Sequence, residues 1–372
     1  MKVQLHKGSK YLDQNQWEKL RPKENVFMSL DFKKTFEKFH QKQIQSIYYS
    51  VDDELNSAMG YAQHFIIGGN KIHSYQKKND LGQSIISLVL RLLKLRVVAL
   101  GNGLLTNISN LYIPKISDKS LFVKNLLNAI QEDFGVGKFI IPDHFFKALN
   151  IDNPNEAFPE LIKIEVDEDM QMKIPQEWQT FEDYRQALKK KYRSRLKSVL
   201  KKSDAVSVKA LDKEGLEKYA QKMQELFANV HQKSAFAIAP FNTDIYRDLI
   251  MLDNPQCLVF GYFLNDEMIA FSSELRTEKT LYSYFIGLDY RYNRSHRVYE
   301  KILNQTIKGA IEHNKQHLVF GRTAAEFKSN VGATPIQSHI YIYLKSPLLR
   351  RILRPILSQI KPKVWTQRKP FK

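Results

Sequence analysis

The chain has 372 residues, which is too long for one ordinary hydrophobic core and suits two domains. Its hydrophobic content of 43% excludes a disordered protein, and its net charge of +18 predicts an anionic partner: tRNA, an anionic membrane surface or a phosphorylated substrate. The single cysteine, Cys257, excludes an internal disulfide and indicates a reducing compartment. Residues 1–20 contain no apolar run like that of a signal peptide, so we expect a cytoplasmic protein.

The first half of the chain predicts a mixture of strands and helices. Residues 45–51 (QSIYYSV) and 57–67 (SAMGYAQHFII) are predicted strands joined by a polar turn. Residues 85–100 (IISLVLRLLKLRVVAL) are interrupted by charges and too short to span a membrane, so they predict a helix that runs into a strand. A helix at 120–135 and a strand at 138–142 are predicted next.

A basic helix is predicted at residues 181–202, after an irregular, proline-containing stretch. Thr180 and Asp183 form a weak capping box at its start. Residues 185–202 hold nine basic residues and no acidic one. Apolar side chains at steps of three and four form one face of this helix: Phe181, Tyr184, Leu188, Tyr192, Leu196 and Val199. The helix should therefore pack on one side and present a cationic surface on the other.

The second half repeats the order of elements found in the first half. Residues 257–277 predict a hairpin that turns at Asn265-Asp266. A strand at 280–290, an amphipathic helix at 298–313 and a strand at 317–321 are predicted next. The two helices also share a residue pattern, in which Phe122, Lys124, Leu126 and Ile130 correspond to Tyr299, Lys301, Leu303 and Ile307. Two copies of one α/β unit explain this order better than one large sheet.

A basic amphipathic segment is predicted at residues 346–362 (SPLLRRILRPILSQIKP), where Pro355 should introduce a kink. Leucines and isoleucines form its apolar side, and Arg350, Arg351 and Arg354 are expected on the other side.

Two local patterns resemble a known family. Residues 282–293 (YSYFIGLDYRYN) look like a central strand and its following loop. Residues 320–335 (FGRTAAEFKSNVGATP) are similar to the Fem-type pattern of a strand ending in Phe-Gly, then Phe-Lys, then Gly. With the order of elements, the chain resembles tandem GNAT-fold acyltransferases of the FemAB-like, or peptidoglycan-biosynthesis acetyltransferase, family. The resemblance covers roughly residues 20–345.

This resemblance implies an α/β (α+β) fold of two tandem GNAT-like units, each a mixed sheet flanked by helices, joined by the basic helix. We place the N-terminal unit at 1–178, the C-terminal unit with the active cleft at 179–346, and a basic amphipathic tail at 347–372. Two features depart from the family pattern. No glycine follows Gly287 where GNAT enzymes hold the pyrophosphate of coenzyme A, and no long helical hairpin interrupts the second half.

Acyl transfer to an amine needs proton removal, oxyanion stabilisation and alignment of the two substrates. A strand at 280–290 that splits from its neighbour would supply backbone amides for the oxyanion. Strand alternation predicts one polar face that holds Ser272, Glu274, Ser283, Phe285, Gly287 and Asp289. Glu274 and Asp289 are therefore candidates for proton transfer or for holding a cationic amine, and Ser283 lies opposite Glu274. An ordinary exposed sheet face is the alternative.

The start of helix 298–312 is predicted to bind a phosphate-bearing donor, because helix N-termini bind anions. Polar and basic residues surround that point, namely Arg291, Asn293, Arg294 and His296. Tyr290, at the strand end, could protonate a leaving group, although packing is an alternative role. A solvated basic loop is the alternative for the whole segment. No spacing of His, Cys, Asp and Glu indicates a metal site.

Arg322, Thr323, Glu326 and Lys328 follow the predicted strand 317–321, and α/β folds place their chemistry at such strand ends. A local ion pair between Arg322 and Glu326 is the simpler alternative. The resemblance to Fem-type enzymes implies that Lys328 acts at the donor or acceptor site.

These observations predict an N-acyltransferase that moves an acyl or aminoacyl group to an amine of a cell-wall or lipid-linked precursor. The donor would be acyl-coenzyme A (acetyl-coenzyme A) or aminoacyl-tRNA. Residues 185–202 and 347–372 would contact an anionic membrane peripherally, at its inner surface. The alternatives are a non-catalytic membrane- or nucleic-acid-binding protein on a GNAT scaffold, and an N-terminal unit that only binds acceptor or supports the fold.

Overall fold

The computed structural model describes residues 1–68, 94–105, 107–233 and 241–372. Their contacts divide the chain into two compact units, and neither unit is one continuous stretch. The first consists mainly of Met1–Val166 and Ser338–Pro362. The second consists mainly of Asp167–Ser234, Asn242–Gln337 and Lys363–Lys372. The basic segment 181–202 thus lies inside the second unit.

The elements are numbered in chain order. The strands are β1 (Gln4–His6), β2 (Ile44–Asp53), β3 (Asn56–Gly68), β4 (Lys94–Ala99), β5 (Leu111–Lys115), β6 (Lys138–Pro142), β7 (Ile162–Lys173), β8 (Ser207–Ala210), β9 (Gln256–Leu264), β10 (Glu267–Arg276), β11 (Thr280–Leu288), β12 (His317–Gly321) and β13 (Thr334–Leu344). The helices are α1 (Gln14–Leu20), α2 (Leu30–His40), α3 (Lys119–Phe134), α4 (Asp143–Ala148), α5 (Pro154–Ala157), α6 (Phe181–Ala187), α7 (Lys190–Lys202), α8 (Lys213–Lys218), α9 (Ala220–Lys233), α10 (Tyr246–Leu249), α11 (Tyr290–His296), α12 (Val298–Glu312), α13 (Ala325–Asn330) and α14 (Pro347–Leu357).

The first unit is built on a mixed sheet with the strand order β1-β2-β3-β4-β6-β13, and β5 pairs with β3. The predicted hairpin is present as β2 and β3, which are antiparallel. β4 and β6 are parallel, and β13 then adds antiparallel to β6. β4 confirms the strand predicted at the end of residues 85–100, whereas the helix predicted before it lies outside the described residues.

Helix α3 covers the first sheet because its apolar residues recur at steps of four. Phe122, Leu126 and Ile130 are fully buried in one cluster with strand residues such as Ile47 and Val98. Asp118 caps the start of the helix by accepting from the amide of Leu121 at 2.9 Å.

Helix α14 is amphipathic, and the structure turns part of its basic side toward the protein. Leu349, Leu353 and Leu357 pack against a cluster that contains Ile164 and Leu344. Two of the arginines expected to face away instead donate to backbone carbonyls, Arg350 to Leu344 and Arg354 to Pro159 and Leu161. Leu348 and Ile352 are 70% and 55% exposed. The helix therefore docks by one apolar edge and exposes a second one.

The second unit has a sheet with the order β7-β12-β11-β10-β9-β8. The hairpin of β9 and β10 turns at Asn265 and Asp266, whose φ angles are 48° and 63°, as a two-residue turn of the predicted kind requires. β11 is parallel to β12 only at Thr280–Tyr282, although β11 continues to Leu288. Beyond Tyr282, β11 therefore runs on without β12 as its partner.

The predicted duplication is confirmed by the order of elements in the two units. Each has a hairpin, an antiparallel third strand, a helix and then a parallel strand, as β2-β3-β4-α3-β6 and β9-β10-β11-α12-β12. Leu303 and Ile307 of α12 are buried as their counterparts in α3 are. The last strand of each sheet comes from the other half of the sequence, since β13 closes the first sheet and β7 closes the second.

The single helix predicted at residues 181–202 is wrong, because the chain breaks between α6 and α7. Its predicted capping box is present at Thr180 and Asp183. Leu188 and Lys189 leave the helical region, with ψ angles of 142° and 152°.

The C-terminal segment explains this break in the helix. The amide of Lys189 donates to the carbonyl of Pro370 at 2.8 Å, and the amide of Lys372 donates to the carbonyl of Ala187 at 3.2 Å. Leu188 and Phe371 form an antiparallel bridge. Hydrogen bonds to a distant part of the chain thus replace the helical ones, and local periodicity could not reveal them.

Gly332→Ala should destabilise the protein strongly. A Cβ at Gly332 would lie 2.3 Å from Cζ of Phe371, at a φ of +109°. We expect the free energy of unfolding to fall by roughly 2–6 kcal/mol, because backbone strain and overpacking each cost about 1–3 kcal/mol. Chemical denaturation checks this value. Gly135→Ala is the control, since its φ is +62° with nothing within 4 Å, and it should cost only about 1–2 kcal/mol. Equal losses would contradict the packing argument.

Candidate active site

The predicted polar face of the second sheet is divided by a bulge in β11. Glu274 lies opposite Ser283, as predicted, but Ser272 lies opposite Ile286, and Phe271 lies opposite Gly287. The register shift places one extra residue in β11 between these pairs, which reverses the alternation. Gly287 and Asp289 therefore lie on the sheet face opposite to Glu274. The prediction of one shared face is wrong because strand alternation alone cannot detect a bulge.

Glu274 forms a buried ion pair rather than an open acid. Its Oε2 accepts from Nη2 of Arg276 at 2.6 Å, and both side chains are almost fully buried, with exposures of 1% and 4%. A Cβ at Gly309 would lie 3.0 Å from Nη2 of Arg276, so the absence of a side chain there leaves room for the pair. Burial raises the pKa of Glu274, and Arg276 opposes that effect. This geometry favours a structural role.

Asp289 caps a short helix at the end of β11. It accepts from the amide of Arg291 at 3.0 Å and pairs with its guanidinium at 2.6 Å. This hydrogen bonding holds the pKa of Asp289 below its ordinary value. Tyr290 follows at the surface, 38% exposed. Asp289 is therefore an ionised, arginine-bound group on the sheet face opposite to Glu274.

The N-terminus of α12 is partly occupied by the chain itself. Asn293 Oδ1 accepts from the amide of Tyr299 at 2.9 Å, and Arg297 binds Glu300 at 2.9 Å. Arg294 is exposed, and His296 Nδ1 lies 2.8 Å from Oγ of Ser295. An amide that a side chain already caps is not available to a phosphate. The amide of Tyr299 is therefore not available to the pyrophosphate of coenzyme A.

The chain turns sharply where β12 ends. Gly321, Thr323 and Ala324 have φ angles of 72°, 68° and 50°. This conformation is uncommon for alanine and a genuine outlier for the β-branched threonine. Strained backbone of this kind is concentrated at functional sites. Thr323 is exposed, and the turn leads directly into α13, which carries Lys328.

Lys328 is buried at the base of this turn. Its Nζ donates to the carbonyl of Gly321 at 3.0 Å and to the carbonyl of Arg322 at 2.6 Å. Its side chain is 5% exposed. Burial lowers its pKa from the ordinary value of 10.5 to about 7, against the opposing charges of Asp169 and Asp167. Lys328 can therefore exist as a neutral amine near physiological pH.

Two acidic residues missed in the sequence lie near Lys328, and both come from β7. Asp169 is fully buried, and Asp167 is half-buried. Burial raises the pKa of Asp167, while Arg322, Lys363 and Lys328 lower it. The missed signal was the alternation of Asp167, Asp169 and Gln171 with buried Met170 and Met172 in the second half of β7. Arg322 is thus associated with Asp167.

Glu326 pairs with Arg368 of the C-terminal segment rather than with Arg322. The amide of Arg368 also donates to Oγ of Ser329 at 3.2 Å, and Trp365 donates to Glu168 at 3.1 Å. The local ion pair considered for Glu326 is therefore replaced by one to a residue far along the chain. Of the predicted site residues, Arg322, Thr323, Glu326 and Lys328 lie together. Those at 289–296 surround the start of α12, and Glu274 lies on the opposite sheet face from Asp289.

Glu274→Gln should lower the free energy of unfolding by about 3–5 kcal/mol, because it leaves the charge of Arg276 buried without a partner. Urea denaturation with circular dichroism would measure the loss. Glu312→Gln is the control, since Glu312 pairs with Lys308 at the surface, where both side chains are nearly half exposed. The control should change stability by no more than about 0.5 kcal/mol. A loss below about 1 kcal/mol for Glu274→Gln would contradict the buried pair.

Lys328 should make stability depend on pH above neutrality. Between about pH 7 and pH 10 the unfolded chain carries a proton on Lys328 that the folded chain has lost. Folding stability therefore rises with pH in that window, by at most about 1.4 kcal/mol per pH unit from this residue. Lys328→Met should remove the rise, and the surface control Lys308→Met should retain it. Parallel stability curves for wild type and Lys328→Met would show that the side chain titrates normally.

Comparison with known proteins identifies the second unit. Residues 186–329 match the family model described as acetyltransferase (GNAT) domain. No curated protein matches the chain.

Solved structures share the fold over nearly the whole chain. The crystal structure of FemX matches with a TM-score of 0.50 and 12% identity, covering 95% of this chain and 100% of that chain. A tandem GNAT protein from the clavulanic acid biosynthesis pathway matches with a TM-score of 0.50 and 8% identity, covering 93% and 99%. A conserved protein of unknown function from Bacteroides thetaiotaomicron VPI-5482 has a TM-score of 0.49 and 10% identity over 90% and 98%.

At these identities the structural likeness shows the fold, and the family model adds the class of activity. The resemblance seen in the sequence and the predicted fold class are thereby confirmed. The second unit carries an acetyltransferase (GNAT) domain, the chain shares its fold with FemX and with a tandem GNAT protein, and these findings together support an acyltransferase.

Proposed function

We propose that this acyltransferase moves an acyl or aminoacyl group onto an amine of a cell-wall or lipid-linked precursor. The observation that carries the proposal is the buried amine of Lys328 at the end of β12. Two of its hydrogens go to backbone carbonyls, so the neutral form keeps one electron pair free. With a pKa of about 7, that electron pair can accept a proton from an attacking amine.

In the proposed reaction, the nitrogen of the acceptor amine attacks the acyl carbon of the donor. The bond from that carbon to the leaving sulfur or oxygen of the donor breaks, the leaving atom keeps the electron pair of that bond and takes a proton from water, and the proton of the amine passes to Lys328. The developing oxyanion needs donors that are already in place. Alternate backbone amides of β11 beyond Tyr282, on the edge that β12 leaves, could supply them.

The donor is proposed to be aminoacyl-tRNA ahead of acyl-coenzyme A. Asn293 caps an amide at the start of α12 that a coenzyme A pyrophosphate would need. Helix α7 carries no acidic residue, and five of its lysines are exposed: Lys190, Lys191, Lys197, Lys201 and Lys202. Such a surface suits a polyanion such as tRNA, and its binding should weaken steeply with salt. Acyl-coenzyme A, such as acetyl-coenzyme A, stays the second candidate because GNAT domains commonly use it.

The acceptor is proposed to be reached at a membrane surface. Leu348 and Ile352 are exposed on α14 beside the exposed Arg351, as interfacial helices require. None of the described helices is long and apolar enough to cross a membrane. The contact would therefore be peripheral, through α7 and α14, at an anionic inner surface.

Transfer should depend on Lys328. With labelled aminoacyl-tRNA or labelled acetyl-coenzyme A and a cell-wall precursor peptide that carries a free amine, Lys328→Ala should lower the transfer rate by about 10²-fold or more. Donor binding should stay within about twofold, because Lys328 is a proton-transfer group in this scheme. Lys308→Ala, on the exposed side of α12, is the matched control and should transfer normally.

Binding at low and moderate salt distinguishes the donors. Preference for charged over uncharged tRNA would support aminoacyl transfer. Saturable binding of acetyl-coenzyme A that survives salt would support the second donor. Salt-sensitive binding of every polyanion, with no transfer and no effect of Lys328→Ala, would instead favour a non-catalytic protein that binds nucleic acids or membranes, and would refute the proposal.

A further inference from the structure

Only one of the two carboxylate oxygens of Asp169 has a hydrogen-bond partner among the described residues. The side chain is 0% exposed. Its Oδ2 accepts from Nε2 of Gln171 at 2.6 Å, whereas Oδ1 has no hydrogen-bond partner among the described residues. Burying a carboxylate oxygen without a partner is costly, and native proteins rarely leave one so without a reason. An unmatched buried acid in this place therefore requires an explanation.

The register of the second sheet places Asp169 on the sheet face that holds Tyr282. Gln171 lies opposite Val319, and Val319 lies opposite Tyr282, so these three side chains share a face. Asp169 precedes Gln171 by two positions on β7 and shares that face. The pKa of Tyr282 is raised by burial and further by the charge of Asp169. Asp169 thus lies beside the last paired residue of β11, where β11 and β12 separate.

The ammonium form of Lys328 is the cation for which the carboxylate of Asp169 can act as counter-ion. Its ammonium form would have three hydrogens, of which two point to the carbonyls of Gly321 and Arg322. Among the described residues, no ion pair within 4.0 Å joins Lys328 to Asp169, so the third hydrogen has no direct carboxylate partner. The two groups nevertheless interact, since Asp169 is the main charge that raises the pKa of Lys328 against the effect of burial.

We propose that Asp169 is a positioning residue for Lys328: its buried carboxylate is the counter-ion for the proton that Lys328 takes up during transfer. This inference rests on the proposed function. When the acceptor nitrogen bonds to the acyl carbon, one of its N–H bonds breaks and a new N–H bond forms on Lys328. The resulting ammonium would be a lone charge in a water-poor environment without Asp169. A carboxylate already fixed nearby offsets that charge without reorganisation.

The other charges around Lys328 are less suited to this task. Asp167 is half-buried and also faces Glu168, Arg322 and Lys363, so its charge is shared. Glu326, on the same helix as Lys328, is bound by Arg368. Asp169 is therefore the one acid near Lys328, among the described residues, that is both fully buried and free of a cationic partner.

The experiment follows the titration of Lys328 directly, by NMR of its labelled side-chain carbon next to Nζ. In Asp169→Asn the midpoint should fall by about one pH unit, because an opposite charge that favours the ammonium is lost. Asp167→Asn should lower it less, and Asp169→Glu, which retains the charge, should restore most of the wild-type midpoint. An unchanged midpoint in folded Asp169→Asn would overturn the proposal.

A measurement on the wild type keeps the inference testable if Asp169→Asn does not fold. The labelled carboxyl carbon of Asp169 should show an inflection at the midpoint of Lys328, and a flat curve there would refute the coupling. The rate of transfer supplies the functional readout, since its acidic limb in Asp169→Asn should move to lower pH by the same amount as the NMR midpoint. Coupling without that movement would make Asp169 merely structural. Full activity of Lys328→Ala would refute proton transfer to Lys328 and with it the catalytic part of this inference, whereas the titrations would still decide separately whether Asp169 is coupled to Lys328, because they do not depend on activity.

Discussion

The end of β12 is organised by one buried amine. Lys328 reaches back from α13 and donates to two successive carbonyls, that of Gly321, the last residue of β12, and that of Arg322 just beyond it. Backbone carbonyls at a strand end need donors, and a sharp turn with three positive φ angles directs them away from solvent. The same lysine therefore satisfies the carbonyls of the turn and, in the proposed reaction, supplies the electron pair that accepts a proton. The buried amine, the positive-φ turn and the acids of β7 thus meet at the end of β12.

Charged groups of the second unit fall into two classes that differ in how completely they are matched. Glu274 and Arg276 satisfy each other inside the sheet, and Asp289 is held by Arg291. In each of these pairs the carboxylate already has a cationic partner, which leaves it little capacity to bind a substrate. Asp169 and Lys328 are buried as deeply, yet Oδ1 of Asp169 has no hydrogen-bond partner among the described residues, and Lys328 donates only to backbone carbonyls there. A buried charged group without a charged partner is therefore a better sign of a candidate catalytic residue here than the residue type is.

Local patterns predicted most of the elements, because hydrophobic periodicity and turn residues act over short distances. The hairpin turn at Asn265-Asp266, the capping box at Thr180 and the paired helices α3 and α12 were all visible in the sequence. The bulge in β11 and the break after α6 were not, since each depends on hydrogen bonds to a separate part of the chain. Asp169 was missed because an acidic residue in an alternating strand resembles an ordinary solvent-facing one. Of the residues around Lys328, only those close to it in sequence, such as Arg322 and Glu326, could be predicted.

The exchange of closing strands determines when each sheet can be completed during synthesis. The edge of β6 is formed by residue 142, but its antiparallel partner in β13 begins to pair only with Ile340. The first sheet can therefore be completed only after nearly all of the second unit has been synthesised, and the edge of β6 stays unpaired until then. Conversely, β7 is synthesised before all the other strands of the second sheet, and it is available for pairing when β12 appears. Contacts of such long sequence separation fold slowly and expose edges to aggregation. We therefore expect the two halves of the duplication to fold together rather than one after the other.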